Sequence, residues 1–266
     1  MVVTARTWTG GSFVSQVWVL TTRSLRTSFA DRRLLFFGLL QPIVLLVLFS
    51  QVFSGIAALP GIAGYHGYAN YLLPATLVNI AAATAMGSGA GLLAEMYRGI
   101  VGRFRAMPMS LFSVLLARTL SDSARLALQL TVTALAAVPL LGYRPRAGAV
   151  GVSLAVLLSL AVGWGLGWVF IAIASWLRRP EALQAAAFLV GFPLMFTSSA
   201  YVPVATMPGW VQVVARGNPL TYAIDGCRGL TSGENVAGSV AVTLGIVALT
   251  AGVGGVVAAR QFRRGK

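Results

Sequence analysis

Residues 95–125 read EMYRGIVGRFRAMPMSLFSVLLARTLSDSAR. Five arginines (Arg98, Arg103, Arg105, Arg118 and Arg125) and two acids (Glu95 and Asp122) stand in this stretch, in a chain of which only 10% of residues are charged. Long apolar runs flank it on both sides, as they flank the cytoplasmic loops of membrane proteins. Across the whole chain 57% of residues are hydrophobic and the mean hydropathy is +0.82. A water-soluble domain carries about 25% charged residues. The composition therefore reads as an all-α, multi-pass membrane protein, whose 266 residues allow about six transmembrane helices of roughly 20 residues plus connections.

On the N-terminal side of the stretch, the second span is expected at 69–93 and contains Pro74. Its Gly87 and Gly91 form a G-x-x-x-G pair that permits close helix approach. These glycines are no phosphate loop, because no Lys-Ser or Lys-Thr follows them and Lys266 is the only lysine. A charge-free, Gly- and Pro-containing loop at 55–68 precedes that span, and the first span is expected at 34–54, with Pro42 kinking it. Residues 1–33 form a basic N-terminal segment. In it Val14, Val17, Trp18, Leu25 and Phe29 fall near one helical face while Arg23 and Arg26 fall elsewhere, the pattern of an amphipathic helix lying in the membrane interface or leading into the first span.

On the C-terminal side, 126–141 continues as the apolar part of a third span, a fourth is expected at 149–176 with Gly163 and Gly167 as packing positions, and a fifth at 182–198 interrupted by Pro193. Residues 199–235 are too polar to span and too apolar for a solvated loop. Pro208 reads as the first-turn proline of one short helix and Asn218-Pro219 as the cap and first turn of another, giving a re-entrant helical hairpin between the fifth and sixth spans. The sixth span is expected at 236–259, followed by a basic tail at 260–266; the span domain as a whole covers 34–259. With both termini cytoplasmic, fourteen basic residues fall inside and four (Arg144, Arg146, Arg216 and Arg228) outside, which supports a multi-pass protein of the cell membrane in that orientation.

The formal net charge of +14 does not indicate a nucleic-acid partner, since the arginines are grouped beside apolar runs. Cys227 and His66 are each alone, so no metal site of the Cys/His kind can be built, and no disulfide within the chain. The six acids are scattered from Asp31 to Glu234, and only Asp122 and Glu181 suggest a pair that folding could bring together. No catalytic constellation is expected. The first apolar run follows Arg33 and exceeds the roughly 7–15 residues of a signal-peptide core.

The order of these parts, together with RGIVGRFRAMPMS followed by LLAR and with NPLTYAIDGCRGL, resembles the integral-membrane permeases of type-2 ABC exporters, in particular the daunorubicin/doxorubicin-resistance permeases of actinobacteria. The likeness covers nearly the whole chain. It implies export of amphipathic drugs, or of a cell-envelope lipid or polysaccharide, driven by ATP and Mg held in a separate ABC ATPase subunit, with a second permease subunit as partner. From another class, a non-transporting membrane scaffold or enzyme is the alternative. In that family the N-terminal helix and the loop after the second span press on the ATPase. Here the coupling candidates are Arg23 and Arg26 on the helix, and Glu95, Arg98, Gly99, Arg103, Arg105 and Pro108 in the coupling loop 94–110. Arg118, Asp122 and Arg125 share one helical face and are expected to pair there, as a gate or as a neutralised cluster at the inner interface. Phe192, Met195, Phe196 and Tyr201 are candidates for the substrate path.

Overall fold

A computed structural model of the chain describes residues 12–55, 62–65, 67–97, 111–177 and 179–263. Nine α-helices and no strand occur among them: α1 (Phe13–Ala30), α2 (Arg32–Val52), α3 (Tyr68–Tyr97), α4 (Leu111–Leu141), α5 (Gly148–Leu177), α6 (Pro180–Phe196), α7 (Gly209–Gly217), α8 (Pro219–Ser232) and α9 (Ala237–Arg263). Among the described residues five stretches are long and apolar enough to cross a bilayer: Leu35–Val52, Tyr68–Ala94, Phe112–Leu141, Gly148–Leu177 and Ala237–Gln261. The fifth expected span is the shorter apolar helix α6, of 17 residues. Pro180 starts it, and at its end the Thr197 N–H closes onto the Pro193 carbonyl while Asn218 Nδ2 takes the Leu194 carbonyl at 2.6 Å.

Helix α5 occupies the centre, between α3 on one side and α9 on the other. Gly163 of α5 is where three helices converge: a Cβ there would collide with Leu126 of α4 and stand 3.3 Å from the Ala81 carbonyl of α3. Gly167 packs loosely by comparison, its nearest neighbour being Ser88 Oγ at 3.8 Å. The glycine pair expected on α3 does something else. A Cβ on Gly87 would meet nothing within 4 Å, and one on Gly91 would meet only the Arg118 side chain; the packing glycine is Gly89, where a Cβ would stand 2.6 Å from the Phe170 carbonyl of α5. Spacing identified the helix but selected the wrong face, because period alone does not say which stripe meets a neighbour.

Helix α1 opens on Ser12, whose Oγ accepts from the Ser15 N–H at 3.3 Å. It lies along the start of α4, where Phe13 stacks on Phe112 at 6.3 Å and Ser113 Oγ donates to Gln16 Oε1 at 3.2 Å. Val14 and Trp18 are 74% and 73% exposed, so part of the apolar stripe faces away from the bundle, with Val17 and Leu25 half-covered. Helix α4 runs unbroken from Leu111, so Arg118, Asp122 and Arg125 belong to it rather than to a loop before it. It ends where Gly142 takes a left-handed conformation (φ 64).

Between α6 and α9 the two expected short helices are present. Pro208 is the cap residue before α7 rather than a member of its first turn, because its backbone is still extended (φ −55, ψ 146). Asn218 caps α8 by accepting the Leu220 N–H at 2.9 Å, with Pro219 in the first turn. Helix α8 is buried against α3, α5 and α9, whereas α7 exposes Trp210 and Val213.

Candidate functional site

A cavity of about 420 Å³ lies between α2, α3 and α4 and reaches Met195 and Tyr201 at its far end. From Gly91 to Thr76, both on its wall, α3 advances fifteen residues, or roughly 22 Å. Helix α4 supplies the charged end. Arg118 Nε lies 3.7 Å from Asp122 Oδ2, an ion pair of the i, i+4 kind. The pair fits because α3 carries no side chain at Gly91, where a Cβ would strike Arg118 Nη2. Arg125 does not join it: this exposed guanidinium makes no hydrogen bond or ion pair with any described residue and extends to α2, with Nη2 3.9 Å from the place a Gly38 Cβ would occupy. The three charges therefore share a face as expected but resolve into one pair and one separate cation.

The next position up this face is Gln129, whose Nε2 donates to the Gly38 carbonyl at 2.6 Å and whose Oε1 receives Thr84 Oγ1 at 3.5 Å. Gly38 is four residues before Pro42, which has no N–H to give it. The amide of α4 thus fills the acceptor that the proline of α2 leaves open, and joins the three helices that form the wall. Further out, buried Asn79 donates to the Tyr201 hydroxyl at 3.4 Å, while its Oδ1 receives no hydrogen bond from a described residue. Burial pushes the Tyr201 phenol above its ordinary range, and the Asn79 hydrogen bond opposes this only in part. Tyr201 is therefore neutral at physiological pH, so this end of the cavity is polar without being charged.

Of the aromatic and Met candidates, Met195 and Tyr201 line the cavity. Phe192 and Phe196 do not: each is 47% exposed, and they form a ladder on the outer side of α6 that runs from Phe188 through ring contacts of 5.1, 4.4 and 5.2 Å to Tyr201. Arg23 and Arg26 are exposed on α1. Glu95 lies near the end of α3, while Arg98, Gly99, Arg103, Arg105 and Pro108 fall outside the described residues. Glu181 is exposed at the start of α6, whereas Asp122 lines the cavity. Among the described residues no group of three His, Cys, Asp or Glu side chains could hold a metal ion.

Arg228 of α8 was legible in the sequence only as one of four outer basic residues, yet it is 4% exposed. Its guanidinium donates to the carbonyls of Tyr71 (3.0 Å), Ser199 (2.6 Å) and Ala200 (3.0 Å), contacts Asp225 Oδ1 at 3.4 Å, and lies 3.5 Å from the centre of the Tyr71 ring. Tyr71 Oη donates to the Ser199 carbonyl at 3.0 Å and Ser199 Oγ to Asp225 Oδ1 at 2.7 Å. One side chain thus ties α8, α3 and the segment after α6 together. The available signal was the i, i+3 spacing of Asp225 and Arg228 on a segment too apolar to be a solvated loop.

The family model for ABC-2 type transporters matches residues 15–231, from α1 through almost all of α8. The chain belongs to the ABC-2 type transporter family. Among its relatives, the daunorubicin resistance ABC transporter permease protein DrrB1 of Streptomyces coeruleorubidus is 29% identical over 216 residues, which cover 80% of this chain and 75% of that protein. The "Probable doxorubicin resistance ABC transporter permease protein DrrC" of Mycobacterium tuberculosis is 23% identical over 242 residues, covering 91% and 84%. As an ABC-2 permease the chain is the multi-pass membrane subunit of an efflux pump, and its family implies an ABC ATPase as partner. The resemblance drawn from the sequence patterns is borne out.

Proposed function

We propose that this permease exports amphipathic drugs or related hydrophobic molecules through the cavity between α2, α3 and α4, with ATP and Mg bound and ATP hydrolysed in the partner subunit. The observation that carries the reading is that cavity, about 420 Å³ in volume, charged at one end and lined by Met195 and Tyr201 at the other. Its volume falls in the range of small-molecule sites, about 300–1,000 Å³. The names of the relatives, for daunorubicin and doxorubicin resistance, support a drug-sized amphiphile; a cell-envelope lipid is the second reading, favoured by the separate cation Arg125 at the charged end.

Six spans form the membrane domain in this reading. Helix α6 is the fifth of them, its 17 residues reaching roughly 25 Å, near the lower limit for crossing the hydrocarbon layer. Helices α7 and α8 dip in from the outer face, both termini are cytoplasmic, and a second permease subunit completes the path. Arg23, Arg26, Glu95, Arg98, Gly99, Arg103, Arg105 and Pro108 form the handle gripped by the ATPase. Support for this comes from α1 lying on the start of α4, so that a push on α1 passes to the helix that carries Arg118, Asp122 and Arg125.

The test uses inverted vesicles holding the permease and its ATPase, a panel of fluorescent amphiphiles of both charges, and an ATPase-dead control. ATP-dependent uptake of at least one amphiphile is expected. Failure of any ABC ATPase to co-purify, or uptake identical in the dead control, overturns the reading.

A further inference from the structure

The charges of the described residues on the cavity wall do not balance. Among its described lining residues only Arg118, Asp122 and Arg125 are charged, and Arg118 lies in ion-pair range of Asp122. One positive charge is left over, on Arg125, which no described residue neutralises. Low-dielectric walls focus the field of such a charge into the space they enclose. A guanidinium at membrane depth is retained where it faces a wet cavity or meets a counter-charge. Its planar fork matches a carboxylate, phosphate or sulfate with two parallel hydrogen bonds. The same field repels a cationic head. Beyond Arg125, Leu45, Leu46, Phe49 and Ile80 offer apolar surface on the same wall.

From this arrangement we infer that the cavity selects amphiphiles with an anionic head, received by Arg125, over cationic ones. This rests on the proposal that the cavity is the substrate path, and it names the charge class of the molecule that enters. The head chemistry is shared by an anionic phospholipid drawn from the inner leaflet and by a free anionic amphiphile drawn from the cytoplasm.

Equilibrium binding without ATP tests it, on the permease with its ATPase in nanodiscs of zwitterionic lipid. The probes are NBD-labelled phosphatidylglycerol, NBD-labelled dodecanoate, and an NBD-labelled dodecyl quaternary ammonium of matched length. At least one anionic probe binds about tenfold more tightly than the cation, the scale of one charge-assisted contact. Arg125→Gln abolishes that preference and Arg125→Lys keeps most of it, both at unchanged melting temperature. Which anionic probe binds identifies the source of the substrate. Equal binding of all three probes, tighter binding of the cation, or a preference untouched in Arg125→Gln overturns the inference. Export of a cation by both wild type and Arg125→Gln sinks it while leaving the exporter standing. Arg125-dependent anion binding with no ATP-driven export leaves the site standing and removes the exporter.

Discussion

At the residue scale two arginines in the same bundle do opposite things because their surroundings differ. Arg228 has its donors taken up by three carbonyls and a carboxylate and its flat face against Tyr71. Removing it leaves buried acceptors bare, so Arg228→Met is expected to lower stability by about 3–5 kcal/mol, read as a fall in melting temperature in detergent. Arg228→Lys recovers little of this, since an ammonium can neither fork across Ser199 and Ala200 nor stack as a plane. Arg118, by contrast, occupies a space that Gly91 leaves empty. In Gly91→Ala the methyl meets the far end of a flexible side chain, so the fold survives and Arg118 swings away from Asp122. Melting temperature within a few degrees of wild type, with changed substrate preference in the vesicle assay, is the expected result; a fall as large as that of Arg228→Met contradicts it.

At the element scale the informative contacts are those in which one helix completes another. Pro42 deprives the Gly38 carbonyl of its own-helix donor, and Gln129 of α4 supplies one. Gln129→Ala is expected to cost about 1–2 kcal/mol through the bare carbonyl. With Pro42→Ala restoring an N–H within α2, that cost shrinks, and a double-mutant cycle of thermal stability measures the coupling. The glycines of α3 give a second contrast. Gly89→Ala drives a methyl towards the rigid Phe170 carbonyl of α5 and is expected to lower the yield of folded protein. Gly87→Ala places a methyl in open cavity space and is expected to leave yield unchanged. Equal yields of the two variants, compared by size-exclusion chromatography, would show that α3 and α5 are not held by this close approach.

At the scale of the whole molecule, the helices divide into a core of α3, α5 and α8 and a periphery that the chain itself hardly covers. Only 17% of the α2 window and 11% of the α9 window are buried, against 61% for α3. The apolar faces of α2 and α9 suit lipid or a second subunit, since water gives them no favourable environment. Helix α1 projects Arg23 and Arg26 from this periphery while resting on α4. The double charge reversal Arg23→Glu with Arg26→Glu is expected to reduce stimulation of the partner ATPase by about tenfold or more at unchanged folded yield. Unaltered stimulation, measured with purified subunits at low ionic strength, would remove α1 from the coupling path.

The sequence by itself determined the class of this protein, its helices and its family, because each depends on quantities that are local along the chain. Apolar windows of about 20 residues predict spans, caps such as Asn218-Pro219 start helices, and ordered motifs mark kinship. The tertiary structure alone decided which faces those helices present. Gly87 and Gly91 line a cavity while Gly89 packs, Arg228 is buried while Arg125 is left over, and Met195 joins the path while Phe192 and Phe196 stand outside it. The reason is the distance along the chain: the cavity wall joins Gly38, Gly91, Arg125 and Tyr201, and no local window contains more than one of them.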